Sequence, residues 1–299
     1  MSGVEVLKIL NPGVHATLQD GGRVGFREYA IPMSGCLDSY SQKLANYLVG
    51  NPAQSPVIEI IGQFKCEILN EIEMGVCGLG AKILINGEPA EADKTLFCSA
   101  KDLVEVRGKL AYMAVNGGFT GQMHFGSIST YPLARLGGLD GRLLAKGEVL
   151  IAMRKSESVI RKIPIELLPK QPEIIRVIKG PEFEGDESAF EKLSWSVTSS
   201  SNRMGLRLSG NTWNTKRKEM NSVPVFPGTI QLPSDGRPIL LLSDAQTTGG
   251  YPRIAQVVKA DMSRAGRLIA GGQIRFKFVT IDEAQHIFHK QESFINHAL

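Results

Sequence analysis

The sequence predicts a mainly β fold with a few short helices. Three observations support this: the chain has 32 glycines among 299 residues, its apolar runs between glycines are short, and many of these runs alternate apolar with polar residues. Short alternating runs are typical of half-buried strands, whereas amphipathic helices repeat apolar residues every three or four positions. A chain of this length can form one large domain or two ordinary ones, and we favour two lobes.

Two segments of the first half are typical of β-hairpins. Residues 83–85 lead into Asn86-Gly87, a pair that tolerates the positive φ of a tight two-residue turn. Residues 103–106 and 110–115 are apolar runs on either side of Gly108-Lys109, and they predict a second hairpin.

One later strand and three helices are individually recognisable. Residues 274–278 alternate apolar and basic side chains, which predicts a half-buried strand. A first helix is predicted over residues 37–48, because apolar residues recur at helical spacing before the stop signal Gly50-Asn51-Pro52. A second is predicted from Pro252 to Gly266, since proline suits a first helical turn, and a third from Asp282 toward Phe294.

Prolines and charged residues interrupt the apolar pattern between residues 153 and 172. We therefore predict a junction near residue 165, with an N-terminal lobe over residues 1–165 and a C-terminal lobe over residues 166–299. A short echo, Arg-Val-Gly-Phe-Arg at residues 23–27 and Arg-Met-Gly-Leu-Arg at residues 203–207, gives weak support to two related halves.

The charge pattern argues against a nucleic-acid partner. The formal net charge is +4, from 34 basic and 30 acidic residues, and the basic residues are spread along the chain. The longest basic cluster, Lys216-Arg217-Lys218, is more simply explained as a solvated loop, because a phosphate-binding face normally needs many more cations.

Cysteine usage and hydropathy favour the cytoplasm. The four cysteines show no C-x-x-C spacing and no disulfide-scaffold density, which suits a reducing compartment. Glu5 and Lys8 interrupt the apolar run at the N-terminus, so we expect no signal peptide, and no run of about 18 apolar residues occurs. We expect a cytoplasmic protein that does not contact a membrane.

Several standard site motifs are absent. The sequence has no G-x-x-x-x-G-K-[ST] phosphate loop, no H-E-x-x-H, no G-x-S-x-G and no Met-Lys biotin-attachment motif. His286 and His289 are three apart in a predicted helix, but two histidines make at most half a zinc site, and surface histidines are the simpler interpretation. We expect no metal site.

A polar and glycine-rich segment follows an apolar run near the end of the chain. Residues 239–242 are typical of a buried strand, which brings the polar residues 243–248 to its end. Gly249-Gly250 lets backbone N–H groups approach a ligand closely, and a helix from Pro252 would aim its positive dipole end at the same place. This pattern predicts an anion or oxyanion pocket, and a glycine-rich turn with polar caps explains it about equally well.

Two further clusters combine charge with turn residues. Asp20 and Arg23 form either a structural ion pair, which is the better-supported alternative, or a charged site for a carboxylate or carbamate substrate. Asn202 and Arg203 follow three serines, and these small polar groups suit a urea-like ring, although serine runs are usually loops.

With these residues in view, the chain resembles the biotin-dependent carboxyltransferase family, also called allophanate hydrolase subunit 2. This family includes the C subunit of 5-oxoprolinase and the carboxyltransferase part of urea carboxylase. Several separated motifs in the right order make the resemblance specific, and it covers roughly residues 13–283. The segments that carry it are residues 17–25, 32–38, 45–51, 117–118, 202–205, 227–231 and 244–252.

The resemblance implies two related cyclophilin-like β-barrel lobes, a companion B subunit of related fold and, in 5-oxoprolinase, a third component, the A subunit. It implies ATP-driven opening of the lactam of 5-oxoproline to glutamate, with ATP bound somewhere in the complex. Two alternatives stay open. One is carboxyl transfer to a urea-like substrate, with biotin carried by another protein; the other is regulatory binding that antagonises an inhibitor of a histidine kinase.

The resemblance also suggests roles for the candidate residues. We expect catalytic contributions from Asp244, Asp20 and Arg23, with backbone donors of the Gly249-Gly250 pair stabilising an oxyanion. The expected substrate-binding residues are Gln231, Gln246, Thr247, Thr248, Gly249, Gly250, Tyr251, Asn202, Arg203 and Ser34. The chain lacks two charges usual in the family, since Ile128 stands in place of an arginine and Asn202 in place of an aspartate.

Overall fold

The computed structural model describes residues 3–153, 157–216 and 220–298. These residues divide into two compact units. The first unit runs up to Arg23 and resumes over residues 34–170, whereas the second comprises residues 24–33 and 171–298. Residues 24–33 belong to the second unit, although they lie within the sequence range of the predicted N-terminal lobe. We call this segment the excursion.

The first unit is built on a nine-stranded sheet. Its elements are β1 (Gly3–Asn11), β2 (His15–Gln19), α1 (Ser39–Leu48), β3 (Val57–Ile68), β4 (Ile72–Leu79), β5 (Lys82–Ile85), β6 (Glu88–Ala90), β7 (Leu96–Cys98), β8 (Leu103–Val115) and β9 (Val149–Met153), with single 3-10 turns at Pro132–Ala134 and Ile165–Leu167. The main path runs β6-β5-β8-β3-β1-β9, while β2 pairs with β3 and β4 pairs with both β7 and β8. Leu7, Ile58, Phe64 and Val106 are fully buried in its apolar core.

One predicted hairpin is confirmed and the other is wrong. Asn86 and Gly87 connect β5 to β6 with φ values of 54° and 89°. By contrast, β8 continues through Gly108 without turning. Two of its residues, Lys109 and Leu110, lie opposite one residue of β3, so the glycine precedes a β-bulge. Pairing with β3 on both sides of the bulge overrides the local preference for a turn.

The predicted first helix is confirmed as α1. Asp38 caps it, since its side chain accepts hydrogen bonds from the backbone N–H groups of Tyr40 and Ser41, each at 3.1 Å. α1 packs closely on β4 at Gly75, where an added Cβ would lie only 2.5 Å from the carbonyl oxygen of Ala45. Any larger residue at this position would push the helix off the sheet.

The second unit is a closed seven-stranded barrel in the order β10-β17-β14-β15-β12-β11-β18, so the prediction of a mainly β fold with a few short helices is confirmed. Its elements are β10 (Ile174–Lys179), α2 (Glu187–Glu191), β11 (Trp195–Val197), β12 (Gly205–Ser209), β13 (Val223–Pro224), β14 (Thr229–Gln231), β15 (Ile239–Leu241), β16 (Thr248–Gly249), β17 (Arg253–Val257), α3 (Met262–Gly266), β18 (Gln273–Phe278) and α4 (Ile281–Ala298), with single 3-10 turns at Arg27–Tyr29 and Lys259–Asp261. The barrel closes where β18 pairs with β10 in parallel. β13 and β16 form a separate two-stranded ladder.

The helix predicted to begin at Pro252 is wrong. The residues after this proline form β17, which pairs with β10 on one side and β14 on the other. Ile254 and Val257 are β-branched and buried, and such side chains pack well in a strand flanked by two partners. Helical structure begins later, with a 3-10 turn that continues into α3 at Met262.

The last two predicted elements are confirmed as β18 and α4. Buried and exposed residues alternate along most of β18, as expected for a half-buried strand. Within the described ranges, no helix combines the length and the apolar character needed to cross a membrane. Arg217 and Lys218 of the predicted basic loop lie outside the described residues.

Candidate functional site

An ion pair joins the neighbouring ends of β12 and β15 in the second unit. These strands are antiparallel with Gly205 opposite Leu241, so Arg203 and Asp244 lie side by side just beyond them. Arg203 Nε donates to Asp244 Oδ2 at 2.8 Å, and Nη2 donates to Oδ1 at 3.2 Å. Both side chains are buried. Because a guanidinium fork already occupies this carboxylate, the geometry favours a positioning role over proton transfer.

Asn202 shapes the turn that leads into β12. Its side-chain oxygen accepts a hydrogen bond from the Met204 N–H at 2.8 Å, and its backbone pairs with Gly205 in both directions. This Asx turn explains why a short polar residue suits the position. Asn202 is exposed, so it remains accessible to a ligand.

A buried amide lies beside the segment that the sequence singled out. Gln231, at the end of β14, is only 1% exposed, and its Nε2 has no hydrogen-bond partner among the described residues. Its Oε1 accepts from Gln246 Nε2 at 3.4 Å. A Cβ on residue 249 would lie 2.4 Å from Gln231 Nε2, which is too close. The absence of a side chain at Gly249 therefore leaves room for the Gln231 amide. A buried N–H without an acceptor costs about 1–3 kcal/mol, which favours a ligand oxygen here.

The rest of this segment is held mainly by its backbone. The carbonyl oxygens of Thr247 and Gly250 each accept a hydrogen bond at 3.0 Å from a backbone N–H within residues 220–225. Thr248 is exposed and Tyr251 is 38% exposed, so both side chains remain open to a ligand. Because β17 follows, the predicted helix dipole does not contribute to this pocket.

Arg27, which no sequence motif marked as a site residue, contacts the same segment. Its Nη2 donates to the carbonyl oxygens of Val225 and of Gln246, the latter at 3.3 Å. The guanidinium also lies over the Phe226 ring, 5.1 Å from the ring centroid. Partial burial lowers the pKa of Arg27 from its ordinary value. The echo at residues 23–27 includes this arginine, but no sequence pattern places it beside a residue 219 positions later.

In the first unit, Asp20 is surrounded by donors from its own chain. Its Oδ1 accepts from the Gly22 N–H at 2.9 Å, Ser127 Oγ at 2.5 Å and Ser129 Oγ at 2.6 Å. Its Oδ2 accepts from the Ile128 N–H at 2.8 Å. Four internal donors occupy most of the acceptor capacity of a carboxylate, so this geometry favours a structural role.

Arg23 and Ser34 lie in the same region as Asp20. The fully buried side chain of Arg23 donates to the carbonyl oxygen of Ser129. Gly35 approaches the backbone of Asp20 and Gly22, and this places the neighbouring Ser34 close by. Ser34 has a positive φ of 54°, and its buried Oγ has no hydrogen-bond partner among the described residues.

Ile128 contributes to this cluster through its backbone alone. Its N–H binds Asp20, whereas its side chain is 4% exposed and belongs to the apolar core of the first unit. The position at which the family resemblance led us to expect an arginine is therefore filled by a core side chain in this protein.

The fold and these clusters define a class of protein: a mainly β chain with a closed barrel whose strand ends carry a buried arginine–carboxylate pair and amide donors. The family described as "Carboxyltransferase domain, subdomain A and B" matches residues 29–278, and the chain belongs to this family. The recognition made from the sequence motifs is thereby confirmed.

Two bacterial proteins match this chain over nearly the whole length of both sequences. The chain is 37% identical over 290 residues to the 5-oxoprolinase C subunit of Escherichia coli (strain K12), and the match covers 93% of both chains. It is 31% identical over 309 aligned positions to the 5-oxoprolinase C subunit of Haemophilus influenzae, with 97% of both covered. Among solved structures, the Kluyveromyces lactis urea amidolyase is similar at a TM-score of 0.91 and 26% identity, covering 100% of this chain and 20% of that one.

Proposed function

We propose that this chain is a component of an ATP-dependent 5-oxoprolinase complex that hydrolyses 5-oxoproline to glutamate. The observation that carries the proposal is the similarity to two bacterial proteins named as the C subunit of 5-oxoprolinase, which covers 93% and 97% of their lengths. The similarity to urea amidolyase covers only 20% of that much longer chain. A match between proteins of the same extent favours the same role in an assembly.

The unpaired donor of Gln231 supports this proposal in chemical terms. A lactam presents a carbonyl oxygen, and negative charge builds on that oxygen as the ring opens. A buried N–H interacts with such charge more strongly than a solvated one, because the surrounding dielectric is low. Gly249 leaves the space in which Gln231 takes this position. The N–H of Gly249 pairs with Val223 in the β13–β16 ladder, so the backbone N–H of Gly250 is the further candidate donor.

We assign positioning roles to the charged candidates. Asp244 holds Arg203 and thereby fixes the start of the segment over residues 244–252. Asp20 and Arg23 both bind the backbone or hydroxyls of residues 127–129 and fix that loop. The remaining proposed substrate contacts are Ser34, Asn202, Gln246, Thr247, Thr248 and Tyr251.

ATP belongs to the whole complex in this proposal, because this chain has no phosphate loop. ATP supplies the activation that a stable amide needs, while the residues above bind and orient the ring. We propose the A and B subunits of 5-oxoprolinase as partners and the cytoplasm as the location. The four free cysteines are compatible with a reducing compartment.

The test is ATP-dependent release of glutamate from 5-oxoproline by the purified complex of this chain with the A and B subunits. We expect turnover by the complex and none by this chain alone. Gln231→Ala should lower kcat/KM about 10- to 100-fold, the effect of losing one donor to a developing charge. Gln285→Ala, on the exposed side of α4, is the matched control and should behave like the wild type. A fully assembled complex that releases no glutamate would contradict the proposal.

The likeness to urea amidolyase favours one second candidate, biotin-dependent carboxyl transfer to a urea-like substrate. The side-chain amides of Gln231 and Gln246 offer donors and acceptors that suit a ureido ring. The biotin would be carried by another protein, since this chain has no attachment motif. Binding of a biotinylated carrier protein that Gln231→Ala abolishes would support this candidate, and absence of binding by the wild type would remove it.

A further inference from the structure

Arginines of the barrel unit differ in whether they have a counterion. Three of them each hold a carboxylate through two side-chain hydrogen bonds. In two of these, Arg176 and Arg253, the hydrogen-bonded carboxylate raises the pKa of the arginine. The pairs are Arg176 with Asp261, Arg203 with Asp244, and Arg253 with Glu182. Arg27 differs, because no Asp or Glu of the described residues lies within ion-pair distance and burial lowers its pKa.

The guanidinium of Arg27 is held in place without being neutralised. One nitrogen, Nη2, donates to two backbone carbonyls, and one face lies over the Phe226 ring. The other terminal nitrogen, Nη1, is buried and has no hydrogen-bond partner in the described part of the chain. Carbonyl groups and a ring orient a cation, but neither supplies the negative charge that compensates for its lost solvation.

Gln246 connects this cation to the unpaired amide described above. Its backbone carbonyl accepts from Arg27, and its side-chain nitrogen donates to Gln231 Oε1. Arg27 is a charged donor and Gln231 a neutral one, and each has one side-chain nitrogen without a partner among the described residues. Both contact Gln246. This combination suits a small molecule that carries both an anionic group and a carbonyl group.

We infer that Arg27 binds the carboxylate of the substrate while Gln231 donates to the ring carbonyl, an inference that rests on the proposed function. Because Nη1 has no acceptor among the described residues, its two N–H groups are available to a carboxylate, and the positive charge of the guanidinium favours that anion. 5-Oxoproline carries both groups, whereas 2-pyrrolidinone and urea carry only the carbonyl. Arg27 is thus the specificity-determining residue for an acidic lactam.

The test compares 5-oxoproline with 2-pyrrolidinone in the assembled complex, using Arg27→Gln and Arg27→Lys. Wild type should prefer 5-oxoproline at least 10-fold in binding, measured by calorimetry, and in KM. Arg27→Gln should weaken the binding of 5-oxoproline about 10- to 100-fold and raise its KM to a similar extent. The binding of 2-pyrrolidinone should stay nearly unchanged. The affinity of Arg27→Lys for 5-oxoproline should fall between those of the wild type and Arg27→Gln, because lysine keeps the charge but loses the contacts that orient the guanidinium. Arg237→Gln, exposed in the same unit, is the matched control.

The outcomes separate this inference from the proposed function. Wild type that lacks any preference for the carboxylate overturns the inference, whether or not the variants fold. An Arg27→Gln variant that assembles and loses both ligands equally also overturns it, because that pattern indicates a structural role alone. Carboxylate-selective binding that depends on Arg27, in a complex without lactam turnover, would support the inference and contradict the proposed function.

Discussion

The Asp20 region of the first unit and the Arg27 region of the second unit look alike in sequence but differ in hydrogen bonding. Both contain an arginine near a glycine turn and a polar loop. Asp20 accepts four hydrogen bonds from its own chain, whereas Arg27 and Gln231 each leave a buried nitrogen without an acceptor in the described part of the chain. A saturated group stabilises the fold, and an unsaturated one favours a ligand. The comparison therefore assigns a structural role to Asp20 and a recognition role to Arg27 and Gln231, which together we call the recognition region.

The largest expected effect comes from breaking the buried pair next to the recognition region. Asp244→Ala leaves Arg203 buried without its carboxylate, and we expect a loss of about 3–5 kcal/mol in the free energy of unfolding. Urea denaturation of the purified chain measures this loss. Asp282→Ala, which changes an exposed aspartate of α4, should lose less than about 1 kcal/mol. Equal stabilities of the two variants would show that Asp244 is not a structural residue.

Asp20→Ala should cause the next largest loss in the free energy of unfolding. It removes the acceptor of two backbone N–H groups and two serine hydroxyls, and we expect a loss of about 2–4 kcal/mol, reduced by water entering the site. The folded fraction should keep the Arg27-dependent preference for 5-oxoproline, measured by calorimetry. If stability were unchanged and binding of 5-oxoproline were lost, Asp20 would have a recognition role, and the proposed difference between Asp20 and Arg27 would be wrong.

Cys98 gives a pH-dependent measure of the first unit alone, since all four cysteines belong to it. Burial raises the pKa of Cys98 to about 12, with a smaller contribution from Asp102. The unfolded thiol ionises at lower pH, so the free energy of unfolding should fall as pH rises from about 9 to 12, by up to about 1.4 kcal/mol per pH unit. Urea denaturation at several pH values should show a shallower decline for Cys98→Ala. Identical slopes would contradict the burial of this thiol.

The smallest expected change in stability comes from Gln231→Leu. Leucine has a similar volume and removes an unpaired buried amide, so the free energy of unfolding should stay within about 1 kcal/mol of the wild-type value. Binding of 5-oxoproline should nevertheless weaken, because the donor to the ring carbonyl is gone. A destabilisation of several kcal/mol would place Gln231 with Asp20 among the structural residues.

Local sequence signals correctly predicted the helix and the turn whose structure depends on residues close in sequence. Asp38 caps α1 two and three residues away, and Asn86-Gly87 forms its turn without distant help. The same kind of signal failed at Gly108 and at Pro252. In both places, pairing with strands far along the sequence determines the backbone, and that pairing overrides a local preference for a turn or a helix.

The candidate site was predictable as a set of residues, but its connections were not. Asp244 and Arg203 were each selected, yet their pairing depends on the register of β12 against β15. Gln231 was selected through the family resemblance, but its unpaired nitrogen is visible only once its neighbours are placed. Arg27 was missed because residues 24–33 belong to the second unit, and no local pattern reveals such an excursion.

That excursion has a consequence for the order in which the protein is made. Residues 24–33 leave the ribosome early, but the carbonyl groups that hold Arg27 belong to Val225 and Gln246 and are synthesised about 200 residues later. At elongation rates of about 5–20 residues per second, this segment waits roughly 10–40 s for its partners. The recognition region is therefore among the last parts of the molecule to assemble, and an interrupted translation product would lack it altogether.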